Sequence, residues 1–467
     1  MKTISIFVIA LTLVLGFGCS GRGDGASSSA DSIDSLDTIV NIIPDTLRVA
    51  TLYSPSSYFI YREQQMGYDY ELASRFAADK GVDIDIVVAH NLAQAVEMLD
   101  SGLVHLIAYE VPVTAEYLEH LVPCGMENIT HQVLVQPRAA DSVRITDVTQ
   151  LVGREVYVEK DSRYYYRMVN LNTELGGGII IKPVAKDTLV AEDLLDMVAD
   201  GTIPLTVVDS DVASVGRTYY PNLDISLQVS FPQRSAWAVS PSMSWLGDTI
   251  TQWSSEESPR KEQAALMRRY YEKSKTQTGI YEIDFASGRM SGFDPLFKRY
   301  AAEIKWDWRL LSSMGYAESR YDSTQVSWAG ARGIMQLMPA TARAFGADPQ
   351  TMAHNEVSVA TAVKVINSLE SSLRSYVPDA DERKKFVIAA YNSGLAHILD
   401  AIAIAKLRGM NAQVWDGNVA EALMLKSNPE IYNLPEVRYG FFRGRQTYDY
   451  VRTVMACYDK ARKQIKP

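Results

Sequence analysis

The sequence predicts a multidomain chain, a two-lobed α/β first half followed by a mainly α second half. Three observations predict it. The 467 residues exceed the size of one typical domain. Up to about residue 255, short apolar runs alternate with amphipathic segments, the rhythm of β-α-β units around a largely parallel sheet. From about residue 292 that alternation stops and only helical spacing remains.

In chain order, "LRVATL" reads as a strand, and "GYDYELASRFAADKG" as a helix entered through Gly67 and closed by Gly81. Tyr70, Leu72, Ala73 and Phe76 form its inner side. "VDIDIVVA" alternates as a strand, "NLAQAVEMLDSG" is a helix and "LVHLIAY" a strand. A second α/β lobe begins near "LVGREVYVEK" and continues through "AEDLLDMVADG" and "PLTVVDSDVASVG". The chain then returns at "DISLQVSFPQRSAWAVS". Charged, turn-rich residues 256–291 read as a linker helix and loop between module 46–255 and domain 292–467. In the latter, "DPLFKRYAAEIKW", "DWRLLSSMGYAES", "NEVSVATAVKVINSLESSLRSYV" and "ERKKFVIAAYNSG" are helical, and Pro339 opens a further helix.

The N-terminus carries Lys2, an apolar run from Ile4 to Leu15, then small residues before Cys19, the layout of a secretory signal. The run is too short for an ordinary membrane span. Residues 1–18 are expected to be a signal peptide. Residues 19–45 open with "CSGRGDGASSSADSIDSLD", which cannot bury a core and reads as a flexible tether.

Charge divides unevenly. Residues 291–467 hold 23 Lys+Arg against 18 Asp+Glu, leaving 23 against 38 for the rest. Such asymmetry suggests separate tasks for the halves, and the acidic whole offers no basic patch for nucleic acid. Cys124 and Cys457 fall in different halves and give no disulfide framework, so free thiols are expected. The six histidines show no metal-ligand spacing, and no nucleotide or metal cofactor is expected.

"GYAESRY" places Glu318 on the same helix face as Leu311 and Met314. Either the helix has ended and the carboxylate points at water, or a buried acid is put to use. A carboxyl among Met and Leu is desolvated, which raises its pKa and suits a proton donor.

Two resemblances follow from these residues. "LRVATL", "LLDMVADGTIPLTVVDS" and "AWAVSPS" make about residues 46–250 resemble the type 2 periplasmic substrate-binding family, whose lobes close on a solute. That resemblance implies an arginine after Thr-x-Glu to grip a ligand carboxylate. Here "VTAEYLEH" puts Tyr117 there, while Asp209 matches an acid that holds a ligand amine. "RYYYR" at 163–167 reads equally as cleft lining or helix surface.

Glu318-Ser319, then "STQVSWAGARGIMQLMPATA" and "AAYNSG", resemble the lysozyme-like, soluble-lytic-transglycosylase-type murein enzymes. The resemblance implies Glu318 as catalytic acid, with Ser327, Gln336, Met338, Tyr391 and Asn392 lining the saccharide site. Where that family has a glutamate near the C-terminus, "GRQTYDYV" has Gln446, which can hydrogen-bond but carries no charge. The fusion resembles the membrane-bound lytic murein transglycosylase F family in particular. It implies a peptidoglycan lytic transglycosylase that cleaves the MurNAc–GlcNAc β-1,4 bond and leaves 1,6-anhydromuramyl ends. It also implies a regulatory N-terminal module for a muropeptide or amino-acid-like solute, and Cys19 as the lipidated residue of an outer-membrane lipoprotein facing the periplasm. A hydrolytic muramidase, and a solute sensor or wall-binding protein with a decayed enzyme domain, are the alternatives.

Overall fold

The computed structural model describes residues 42–138, 144–185, 191–273 and 282–466. The expected signal and Cys19 lie outside the described residues, as does the expected tether up to residue 41. From Ile43 onward the described residues pack as one unit.

The first lobe starts with β1 (Thr46–Leu52), followed by a small hairpin of β2 (Phe59–Tyr61) and β3 (Gln64–Met66). Then come α1 (Tyr68–Lys80), β4 (Asp83–Ala89), α2 (Leu92–Asp100), β5 (Leu106–Pro112), α3 (Ala115–Leu118) and β6 (Val122–Thr130). Gly81, in the left-handed region at φ 69°, closes α1 as its spacing suggested. On that helix Leu72, Ala73 and Phe76 are buried, but Tyr70 is only half-buried and Asp69 takes a buried place.

The second lobe holds β7 (Gln132–Pro137), β8 (Glu155–Glu159), α4 (Arg163–Glu174), β9 (Ile180–Val184), α5 (Ala191–Ala199), β10 (Thr206–Asp209), α6 (Ser210–Tyr219) and β11 (Leu223–Asp224). The chain returns to the first lobe through β12 (Gln233–Val239), then α7 (Ser244–Ser255) and α8 (Glu257–Met267).

Neither sheet is as parallel as the rhythm of the sequence suggested. The first has the order β4-β1-β5-β12-β6, in which β12 runs antiparallel to both neighbours. The second has the order β11-β7-β10-β8-β9, with β7 antiparallel to β10 and β11. The reason is the crossing between lobes. A strand that returns from the other lobe without a crossover helix enters the sheet in the opposite sense.

The helical domain comprises α9 (Asp294–Glu303), α10 (Trp308–Ser319), α11 (Pro339–Ala344), α12 (Asn355–Leu373), α13 (Ala380–Ser393), α14 (Leu395–Leu407), α15 (Ala420–Met424), α16 (Pro429–Tyr432) and α17 (Gly444–Gln464). Its core runs from Phe297 and Leu311 through Ile366 and Phe386 to Val454. Asp307 starts α10 by accepting from the Arg309 N–H at 2.9 Å. Gly315 lets α10 close on α9, since a Cβ there would stand 2.8 Å from the Phe297 ring.

Candidate active site

Glu318 lies in the last turn of α10, and the helix ends at Arg320 in the left-handed region. The carboxylate does not reach water, because the residue is only 5% exposed. Burial pushes its pKa above the ordinary carboxylate value, against a lowering by the Arg62 guanidinium beside it. The partner comes from the other end of the chain. Arg62 Nη2 donates to both carboxylate oxygens at 3.2 and 3.1 Å. Its Nη1 donates to the Gln336 carbonyl at 2.6 Å and its Nε to the Asn392 carbonyl at 3.0 Å. All three guanidinium nitrogens are thus used inside the helical domain.

The hairpin β2–β3 is built to deliver that side chain. Its strands pair Tyr61 with Gln64, leaving Arg62 and Glu63 as a two-residue turn. Both have positive φ, 47° and 64°, which ordinarily favours Asn or Gly in such turns. Holding two bulkier residues there costs on the order of 1–3 kcal/mol each. The Arg62 N–H donates to the Ser393 carbonyl at 3.2 Å, and Glu63 accepts from the Leu395 N–H at 3.3 Å. Gly394 suits this close approach, since its φ of 98° disfavours a side chain and a Cβ would sit a tight 3.2 Å from the Glu63 backbone nitrogen. Below the tip, Phe59 and Tyr61 pack on Trp328, with ring centroids 6.4 and 5.5 Å apart.

The residues singled out in the sequence take different places. Tyr391 donates from its hydroxyl to the Met335 carbonyl at 2.7 Å, and burial near Glu318 pushes its own pKa well up. Asn392 accepts from Thr447 through its side chain at 2.7 Å, tying α13 to α17. Gln336, at φ 47°, turns its amide away to the Gln325 and Gly333 carbonyls. Met338 lines a cavity of about 220 Å³ that continues from Arg62 past Tyr391 to Phe345. Ser327 caps its own loop, accepting from the Ala331 N–H at 2.9 Å, and no hydrogen bond joins it to Glu318. The half-buried Gln446 side chain makes no hydrogen bond among the described residues.

Two residues near the carboxylate escaped the sequence reading. Arg62 gave no signal, because a hairpin turn without Gly or Asn is hard to see. Tyr450 is buried on α17, and the charge of Glu318 is among the causes that hold its hydroxyl pKa well up. It stands four residues after Gln446 in the same "GRQTYDYV" segment.

In the first half, a cavity of about 440 Å³ opens between the lobes. Tyr53–Ser57, Glu110, Arg163 and Asp211 line it, and Ser427–Glu430 of the helical domain close one side. Arg163 and Tyr164 of "RYYYR" therefore face the cleft, while Tyr166 is exposed. Asp209 is buried behind this wall, where Arg163 and the Tyr164 hydroxyl bind its Oδ2. Tyr117 is not among the cleft residues; it packs beside the core of the first lobe. The cleft is acidic. Burial pushes Asp69 up to about 6 and Glu192 up to about 7.

Comparison with known proteins gives the class of this chain, in which the hairpin of a two-lobed α/β module reaches the buried glutamate of a helical domain. The family model described as Transglycosylase SLT domain matches residues 295–414, which include Glu318, Gln336, Tyr391 and Asn392. The chain is a modular lytic transglycosylase. A membrane-bound lytic murein transglycosylase F from Pseudomonas fluorescens is 30% identical over 438 residues, covering 91% of this chain and 87% of the relative. One from Desulfosudis oleivorans is 28% identical over 422 residues, covering 88% of each. The chain belongs to the membrane-bound lytic murein transglycosylase F family. Among solved structures, the L-cystine solute receptor of Neisseria gonorrhoeae aligns with 49% of this chain and 93% of its own, at 18% identity and a TM-score of 0.41.

Proposed function

We propose that Glu318 is the acid that cleaves the MurNAc–GlcNAc β-1,4 bond of peptidoglycan, and that the N-terminal module regulates it. The observation that carries this reading is the placement of Arg62 on Glu318. A carboxyl raised by burial is suited to hold a proton near neutral pH, and a guanidinium paired with it favours the ionised form. In the conformation described, the acid is occupied, and Arg62 offsets part of the rise that burial gives its pKa.

With Arg62 withdrawn, Glu318 donates its proton to the departing GlcNAc O4 as the C1–O4 bond breaks. The resulting carboxylate takes the proton of the muramyl C6 hydroxyl, whose oxygen closes on C1 to give the 1,6-anhydro ring. Ring closure needs no second carboxylate and gains the proximity of an intramolecular attack. Among the residues nearest Glu318 are a cation and two tyrosines, Arg62, Tyr391 and Tyr450. That favours this route over a muramidase, which uses a paired carboxylate.

The interlobe cleft is the place for the regulatory solute. Its carboxylates fit the amine of a muropeptide or amino-acid-like ligand better than a carboxylate, since Arg163 is already paired with Asp209. Cys19 is the proposed lipidation site, holding the enzyme at the outer membrane and facing the periplasm. Loss of radiolabelled palmitate incorporation in Cys19→Ala tests that assignment, and unchanged labelling refutes it.

Mass spectrometry of sugar ends after digestion of sacculi tests the activity. Anhydromuramyl ends that vanish with Glu318→Gln are expected, and reducing ends instead would mean a muramidase. No product from the wild type or from an Arg62→Ala form would favour a sensor.

A further inference from the structure

Three fully buried side chains lie away from the acid, and the chemistry proposed above does not use them. His397 on α14, Lys426 and Asp400 are 0%, 0% and 2% exposed. Lysine is almost never found so deep unless paired. Lys426 Nζ donates to Asp400, whose oxygens also accept from the Arg438 and Tyr439 N–H groups at 3.0 and 2.9 Å. The same Nζ lies 2.9 Å from His397 Nδ1.

An ammonium group can only donate, so His397 Nδ1 must accept and its proton must sit on Nε2. That nitrogen lies 2.9 Å from the carbonyl of Ile60, 337 residues away and on another module. Ile60 is on β2, two residues before Arg62. The ring is stacked on Phe442 at 4.2 Å, which fixes its plane. A core histidine that merely satisfies its own domain would bond within it. Here the second nitrogen reaches the segment that occupies the active site.

We propose that His397 is a positioning residue that holds the β2–β3 hairpin over Glu318, with Lys426 setting the tautomer that makes it a donor. The other hydrogen bonds of the hairpin tip with this domain run through Arg62 and Glu63, while Phe59 and Tyr61 make apolar contact with Trp328. His397 grips the strand behind them. Lys426 also precedes Ser427, which lines the interlobe cleft and donates to Asp193 of α5 at 3.1 Å. A movement of the second lobe therefore pulls on the residue next to the catch.

The proposal rests on reading the hairpin as a plug, and the test separates the two. The full chain in detergent is assayed for release of anhydromuropeptides from sacculi, with amide exchange of residues 59–66 as the second readout. Arg62→Ala reports on the plug itself. His397→Phe keeps the stacking but removes the donor. Basal turnover is expected to rise about two- to tenfold, the weight of one hydrogen bond, with faster exchange in the hairpin. His397→Gln, whose Nε2 can still donate, is expected to stay near wild type in both. His397→Asn, polar but too short to reach Ile60, should behave like the phenylalanine form and decides the matter if that form does not fold.

Activation by Arg62→Ala without activation or faster exchange in His397→Phe or His397→Asn would overturn the catch alone. Absence of activation in Arg62→Ala would remove the plug reading as well.

Discussion

The Arg62 guanidinium and the Glu318 carboxylate stand 3.1 Å apart, 256 positions apart in the chain and on different modules. Their side chains are 9% and 4% exposed, so the pair is desolvated and weakly screened. A buried pair costs desolvation that must be offset by geometry and further hydrogen bonds, and Arg62 has them in two backbone carbonyls. On the proposed reading, the arrangement withholds Glu318 from substrate while keeping the site built.

Removing the cation should therefore release activity. Arg62→Ala is expected to raise basal turnover of sacculi by about tenfold or more, equivalent to roughly 1.4 kcal/mol or more. The pH profile should move too. Arg62 lowers the Glu318 pKa, so its loss raises it. The protonated acid then persists to higher pH, and the alkaline limb of kcat/KM shifts upward. A profile unchanged in both height and position would refute the coupling.

Breaking the pair from the other side has a different outcome. Glu318→Gln should abolish anhydro-product formation and lower Tm, because it leaves the Arg62 charge buried with only neutral partners. Adding Arg62→Met should recover part of that Tm. A double-mutant cycle by thermal unfolding is expected to give a coupling of about 1–3 kcal/mol. Additive losses would mean that the two side chains do not sense one another.

The stripe through Leu311, Met314 and Glu318 put a carboxylate on an apolar helix face, a local property of the chain. The resemblance of Glu318-Ser319 and "AAYNSG" to a family chose a working acid over a solvated helix end. The α/β rhythm of the first half was equally local. What escaped was every contact that depends on where one module lies on another. Arg62 looked like any charged turn residue, and His397 like any core histidine. Even the antiparallel β7 and β12 reflect crossings between lobes, which no window of residues records. Ser327 matched a motif and Gln446 stood where the motif has a glutamate, yet the hydrogen bonds to neighbouring elements are made by Tyr391 and Thr447.

That last contrast bears on whether Gln446 weakens the enzyme. The side chain makes no hydrogen bond among the described residues, whereas Thr447 braces Asn392 and Tyr450 lies near the acid. Gln446→Glu is expected to change kcat by less than about threefold, near or below 0.7 kcal/mol. Thr447→Val, which leaves buried Asn392 Oδ1 without that donor, should cost about 1–3 kcal/mol of stability. Activity that rose tenfold with Gln446→Glu would show that the missing charge matters after all.

The cleft carboxylates predict how stability depends on pH. Asp69 is 5% exposed and held by Ser57 and by the Trp237 indole N–H at 2.7 Å, yet burial still pushes it up to about 6. Its ordinary value is 3.8. Between those values the folded protein keeps a proton that the unfolded chain has lost, so the unfolded state binds fewer protons. The contribution of Asp69 to stability must then fall as pH rises from about 4 to about 6, by on the order of 3 kcal/mol for a group shifted this far. Asp69→Asn should flatten that fall, since its amide can donate to Ser57 while its oxygen still accepts from Trp237. Tm measured from pH 4.5 to 7.5 checks both statements, provided wild type and variant share a buffer series. An identical slope in Asp69→Asn would show that Asp69 titrates at its ordinary value. An amine that binds in the cleft favours the ionised carboxylates, so its stabilising effect should grow above pH 6, where the unliganded cleft carries the most uncompensated charge.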